Sequence, residues 1–228
     1  MAEHLYTIVI NEHFDKKCGC PICSLFRMLE TNEIETITGA AMMEPSVRIE
    51  TNKKGFCEDH FGMMLTHGKR LPVALILQSH LEEIRDRIAP QKPDATEKYL
   101  NNLEQSCYVC DRLNDKMTAV YSNIVYLWKT DEKFRKTFAE QPRFCLPHYR
   151  ALLAASKDLG KKDRLAFCAS LGDVTVGSLE TLSEDIDWFC KKFDYRFAKE
   201  DWKNSKDAIE RTVEALTSHL PVRKSDDI

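Results

Sequence analysis

A four-ligand pattern occurs twice in this chain. Cys20-Pro-Ile-Cys23 is answered by Cys57-Glu-Asp-His60, and Cys107-Tyr-Val-Cys110 is answered by Cys145-Leu-Pro-His148. The halves are separated by 33 residues in the first copy and 34 in the second. Three thiols and one imidazole match the tetrahedral Cys3His shell of structural zinc, and the two-residue gaps let neighbouring side chains converge on one ion. The duplication therefore predicts two metal sites, with Cys20, Cys23, Cys57, His60, Cys107, Cys110, Cys145 and His148 as ligands. The spacing leaves open whether each CxxC closes on the CxxH of its own copy or on that of the other. Iron–sulfur ligation by the same donors is the alternative to zinc.

The repeat extends beyond the ligands. Moving 87 residues on from Cys20, Cys23 and Arg48 gives Cys107, Cys110 and Arg135, and Glu44 and Asp131 stand four positions before the two arginines. After one inserted residue, Phe56-Cys57 and His60-Phe61 correspond to Phe144-Cys145 and His148-Tyr149. A period of this length predicts an N-terminal arm (1–19), two metal-binding helical repeats (20–106 and 107–193) and a helical C-terminal tail (194–228), together one compact domain. Phe56, Phe61, Phe144 and Tyr149 would wall the sites against water and thiol exchange.

The remaining pattern is helical. Leu113, Met117, Val120, Tyr121, Ile124 and Trp128 recur at three- and four-residue steps after Cys110, and Leu25, Phe26, Leu29 and Ile37 do so more weakly after Cys23. Leu77 to Ile88 stops at Pro90, Val176 to Phe193 continues the same spacing, and Ala208, Ile209, Val213 and Leu216 mark a last helix. Leu5–Ile10 reads as a short strand, Met43–Gly55 as a long loop, and 90–96 as a linker. Each CxxC and CxxH thus falls at a helix start, where unpaired first-turn amides and the helix dipole stabilise thiolates. The fold class is mainly α.

Composition excludes several functions. The formal net charge is −3 and the pI about 6.2, so no global basic surface points to nucleic acid. The longest purely apolar run, Val73–Leu77, is far short of a membrane span, and the first residues show no cationic stretch followed by an apolar one. Nine cysteines without an export signal favour metal or redox chemistry in a reducing cytoplasm over disulfides. Cys18 has no counterpart in the second copy and is the candidate reactive thiol, or a substitute for Cys20. Cys168 and Cys190 read as small core residues. His4, His13, His67, His80 and His219 show no ligand spacing. The pairs Glu44/Arg48 and Asp131/Arg135 read as local ion pairs, and Asp194, Tyr195 and Arg196 form a second polar cluster.

The stretches TIVINEHF, CPIC, MMEPSVRIETNKKGFCEDH, RLPVALILQSHL, CYVC, RFCLPHY and KKFDYRF together resemble an uncharacterised bacterial family, of Firmicutes type, with duplicated CxxC…CxxH motifs. Some of its members carry an automatic label of ABC transporter substrate-binding protein. That label implies an export or lipidation signal and alternating strands and helices, which this sequence lacks. What the resemblance supports is a paired metal-binding architecture.

Three functions fit. The first is a helical protein with two structural zinc ions whose surface binds another protein or a small molecule. The second is a thiol or metal redox sensor, or an iron–sulfur protein. The third is a metalloenzyme, disfavoured because four protein ligands fill the shell that a catalytic metal keeps open. No nucleophile–base pair, phosphate loop or paired-carboxylate motif stands out to support an enzyme.

Overall fold

The computed structural model describes residues 6–218. They form eleven α-helices, α1 (Thr7–Asp15), α2 (Pro21–Ile37), α3 (Pro45–Lys54), α4 (Glu58–Thr66), α5 (Arg70–Arg87), α6 (Pro93–Glu104), α7 (Tyr108–Thr130), α8 (Glu132–Ala139), α9 (Leu146–Ala155), α10 (Lys161–Lys191) and α11 (Ala208–Thr217), with no strand among the described residues. The described residues divide into two compact units, one made of residues 6–25 and 118–218, the other of residues 26–117. Helices α2 and α7 are each continuous across a boundary, so the sequence period and the compact units are cut at different places.

The first unit is built on aromatic packing. Phe14 of α1, Phe134 and Phe138 of α8, Phe144 in the segment before α9, and Phe167 of α10 are all fully buried. Phe14 lies 4.9 Å from Phe134, and Phe138 lies 4.8 Å from Phe144 and 5.5 Å from Phe167, ring centre to ring centre. Tilted contacts of this kind add to area burial because ring edges meet ring faces. Along α10 the buried residues Phe167, Leu171, Thr175 and Leu182 fall on one stripe. By length and composition alone this helix is long and apolar enough to cross a membrane; its apolar stretch contains Asp173 and Glu180, and 22% of it is buried.

In the second unit α3 and α4 pack against α5, which buries Val73, Ile76 and His80. The His80 Nδ1–H donates to the Asn52 carbonyl at 2.9 Å, and Ser79 donates to Asn52 Oδ1 at 2.8 Å. These bonds fix the end of α3 just before the first CxxH.

Several expectations are corrected. Residues 7–10 are helical, not extended: Ile10, His13 and Phe14 bury one face of α1, and tertiary burial overrides the β-branched run TIVI. Leu5 lies outside the described residues. Met43–Gly55 contains α3 rather than a loop. Only Thr51 of that helix is buried, so it carried no apolar periodicity, whereas Pro45 at its start and Gly55 at its end were its only signals. The linker is shorter than expected, since α6 begins at Pro93. Asp131 does not pair with Arg135: its carboxylate caps α8 by accepting from the Lys133 and Phe134 amides, while Arg135 donates to the Trp128 and Lys129 carbonyls and stacks 4.8 Å from the Trp128 ring. No Glu44–Arg48 ion pair forms among the described residues either. Glu44 instead supplies the carbonyl that opens α3.

Candidate metal centres

All four ligand pairs share one local geometry. Cys20, Cys57, Cys107 and Cys145 each immediately precede a helix, and Cys23, His60, Cys110 and His148 are each the third residue of that helix. A cap and a third residue face each other across the first turn, which is why capping boxes use the same spacing. Here thiols and imidazoles occupy those places. The Cys110 amide, for example, points at Cys107 Sγ at 3.5 Å.

The structure resolves the pairing that spacing left open. The candidate ligands cluster between copies: the first CxxC meets the second CxxH, as Cys20, Cys23, Cys145 and His148, while the first CxxH meets the second CxxC, as Cys57, His60, Cys107 and Cys110. The first set lies wholly in the first unit and the second wholly in the second unit. Within each set the ligand atoms lie within 4.8 Å of one another.

The first centre is fully buried. His148 Nδ1 lies 3.1 Å from Cys145 Sγ, 3.3 Å from Cys23 Sγ and 3.6 Å from Cys20 Sγ, and the Cys23 and Cys145 sulfurs are 3.5 Å apart. In the second centre His60 Nδ1 lies 3.1 Å from Cys57, 3.3 Å from Cys107 and 3.5 Å from Cys110, with 3.9 Å between Cys57 and Cys110. A tetrahedral ion with Zn–S near 2.3 Å and Zn–N near 2.0 Å has ligand edges of about 3.8 Å (S to S) and about 3.5 Å (S to N). Both sets approximate that shell. All nine cysteines are free, and the two sulfur pairs quoted lie far beyond the disulfide length of about 2.05 Å.

Backbone turns present the ligands. Gly55 has φ +61°, a conformation that leads α3 into Phe56-Cys57, and a side chain there would meet the His80 ring at 3.1 Å. The Tyr108 amide donates to the Gly55 carbonyl at 3.0 Å and the Ser106 hydroxyl to the Lys54 carbonyl at 2.6 Å, so the two halves of the second centre are bonded outside the ligands. In the first centre Gly19, at φ +70°, precedes Cys20, and the Arg143 guanidinium lies over it while pairing with Glu214 of α11 at 2.6 Å.

Within each centre the thiols and the imidazole shift one another's ionisation. In the second centre burial opposes charge on Cys107, but His60 and two backbone amides overcome it and bring the thiol to about 6. Burial likewise opposes charge on His60, yet Cys107 and Glu30 raise it to about 10. Burial and the charge on Cys107 push Cys110 up. In the first centre hydrogen bonds from Cys145, Cys23 and His148 overcome burial and hold Cys20 well below the usual thiol range, while bonding to Cys20 pushes Cys145 up to about 12. Burial and then the cluster's thiolates raise Tyr121, beside His148, to about 12. One thiolate per centre thus suppresses ionisation of the next, a repulsion that a bound divalent cation would offset. The donor set and its edges fit zinc: Cys20, Cys23, Cys145 and His148 would hold one ion, and Cys57, His60, Cys107 and Cys110 a second.

Residues 1–223 match the family described as a family of unknown function (DUF6062). The chain belongs to that family. No curated protein and no solved structure matches it significantly. Membership therefore assigns no activity, and the chemistry rests on the two centres.

The aromatic neighbours behave unequally. Phe56 and Phe144 are buried, whereas Phe61 and Tyr149 are half-buried, and Phe56 packs on Phe61 at 5.3 Å. Cys18 is exposed and belongs to neither ligand set. Cys168 is half-buried, and Cys190 is exposed rather than a core residue, because it faces outward at the end of α10. His13, buried in α1, bonds the Ser24 hydroxyl at 2.7 Å, and His67 is half-buried at the end of α4. His4 and His219 lie outside the described residues. Asp194 and Arg196 form an exposed ion pair beside Tyr195.

Sequence reasoning missed Glu30 and Glu33 of α2. Glu30 Oε1 lies 3.3 Å from His60 Nε2, and Glu33, 2% exposed, takes the Arg112 guanidinium at 2.7 Å and also pairs with Lys116. An acidic residue on the buried side of a weakly amphipathic helix was the available signal.

Proposed function

We propose that this chain is a zinc protein with two structural Cys3His centres, acting as a binding or interaction module in a reducing bacterial cytoplasm. The observation that carries it is the convergence of four protein donors within 4.8 Å of one another in each centre, a number that would fill a tetrahedral shell and leave no position for a substrate. Function then passes to the surface, which would bind another protein or a small molecule. Free thiols throughout suit a reducing compartment.

Elemental analysis and an absorption spectrum of anaerobically purified protein test this reading. About two zinc ions per chain and no visible colour are expected. Cys57→Ala and Cys145→Ala should each remove about one ion. Full metal content in both variants would refute the ligand sets, and visible iron–sulfur absorption would replace zinc with a cluster.

A further inference from the structure

We propose that Glu30 is a positioning residue that fixes the imidazole of the second centre and gives that centre a metal affinity the first does not obtain in the same way. The proposal rests on the zinc reading above and concerns what lies behind the ligands. His60 presents Nδ1 to Cys57, Cys107 and Cys110, and its other nitrogen faces a carboxylate at 3.3 Å. With Nδ1 on the metal, Nε2 carries the proton and donates it to Glu30 Oε1. That bond fixes both tautomer and ring plane and makes the imidazole a stronger donor.

The placement is well supported. The His60 side chain is 5% exposed and that of Glu30 22%, so the contact is shielded from competing water. One turn further along α2, Glu33 anchors Arg112 and Lys116 of α7, the helix whose start supplies Cys107 and Cys110. Helix α2 therefore holds the imidazole half of the centre through Glu30 and the dithiol half through Glu33. The first centre is built differently: among the described residues His148 has no carboxylate partner, and its ring neighbour is Tyr121 at 6.1 Å.

The test uses the full chain loaded with zinc and titrated against a chromophoric chelator, in wild type, Glu30→Ala and Glu30→Gln. Glu30→Ala should weaken one of the two zinc ions by about 10- to 100-fold and leave the other unchanged, with Glu30→Gln between, since the amide still accepts the bond without the charge. In nitrogen NMR the His60 Nε2–H resonance should move in Glu30→Ala and be partly restored in Glu30→Gln, a signature that loss of packing alone does not give. Chelation curves superimposable on wild type would overturn the proposal, and so would equal weakening of both ions. If wild type itself holds no zinc, the metal reading fails and this proposal with it. If wild type holds two and Glu30→Ala keeps both at full affinity, only this proposal fails.

Discussion

Gly55 shows how much of a candidate metal centre is set by residues outside its donor set. Its φ of +61° and ψ of −156° lie where side chains are strained, and an added Cβ would press on His80 at 3.1 Å and Leu103 at 3.3 Å. Gly55→Ala should therefore cost about 1–3 kcal/mol of stability in denaturant unfolding of the metal-loaded protein; unchanged stability would show that the turn relaxes freely. Glu33 poses a different problem, a carboxylate with almost no exposure. Burial alone would raise its pKa, but Arg112 and then Lys116 hold it below the usual value. A depressed folded-state pKa stabilises fully above the unfolded value, about 4.3, and that stabilisation is lost as pH falls through the folded value. The gap in melting temperature between wild type and Glu33→Gln should be wide at neutral pH and narrow as pH drops below about 4. A constant gap would show that the pair's charge contributes nothing. Each residue leaves only a weak local signal, because a single glycine and a single glutamate carry no spacing, whereas eight candidate ligands in two registers do.

At the level of elements, the helical period was legible but the buried face was not always the one it marked. In α7 the two coincide, with Val120 and Ile124 both fully buried. In α5, α10 and α11 the marked stripes leave Leu81, Ile88, Val176, Phe193, Ile209 and Leu216 exposed, while α5 buries Val73, Ile76 and His80 and α10 buries Phe167, Leu171, Thr175 and Leu182. Helix α3 buries only Thr51 and left no such trace, and α1 is too short for its β-branched start to be told from a strand. The ligand pairing was hidden for another reason: a CxxC at one helix start is compatible with any CxxH that the fold brings to it. Once formed, the centres join the start of α2 to that of α9, and of α4 to that of α7. The bridged residues are far apart in the chain, 122 positions from Cys23 to Cys145 and 47 from His60 to Cys107. Metal bound in such clips would have its binding coupled to folding. A strong chelator should lower both helical circular dichroism and melting temperature; a metal-free protein as stable as the loaded one would count against structural sites.

Across the whole molecule nine thiols fall into two populations, six within the centres and three outside. The first centre is buried at all four positions, while Cys57 and Cys110 of the second are half-exposed. Access governs how fast a reagent arrives, and metal bonding governs whether a thiolate is free to react. Outside the centres Cys18 and Cys190 are exposed and Cys168 is half-buried, so alkylation of the native protein should label Cys18 and Cys190 first and Cys168 more slowly. Cys18→Ser alone should thus leave a fast site at Cys190, and the double variant with Cys190→Ser should remove the fast phase while keeping about two metal ions per chain. The six clustered thiols should become reactive only after chelation, those of the second centre ahead of the first because its sulfurs are the more accessible. Peptide mass spectrometry over a labelling time course reads all of this directly. Rapid metal release by mild oxidant, with a Cys107–Cys110 disulfide that a thiol reductant reverses, would instead make the second centre a redox switch and leave the buried first centre as the structural one.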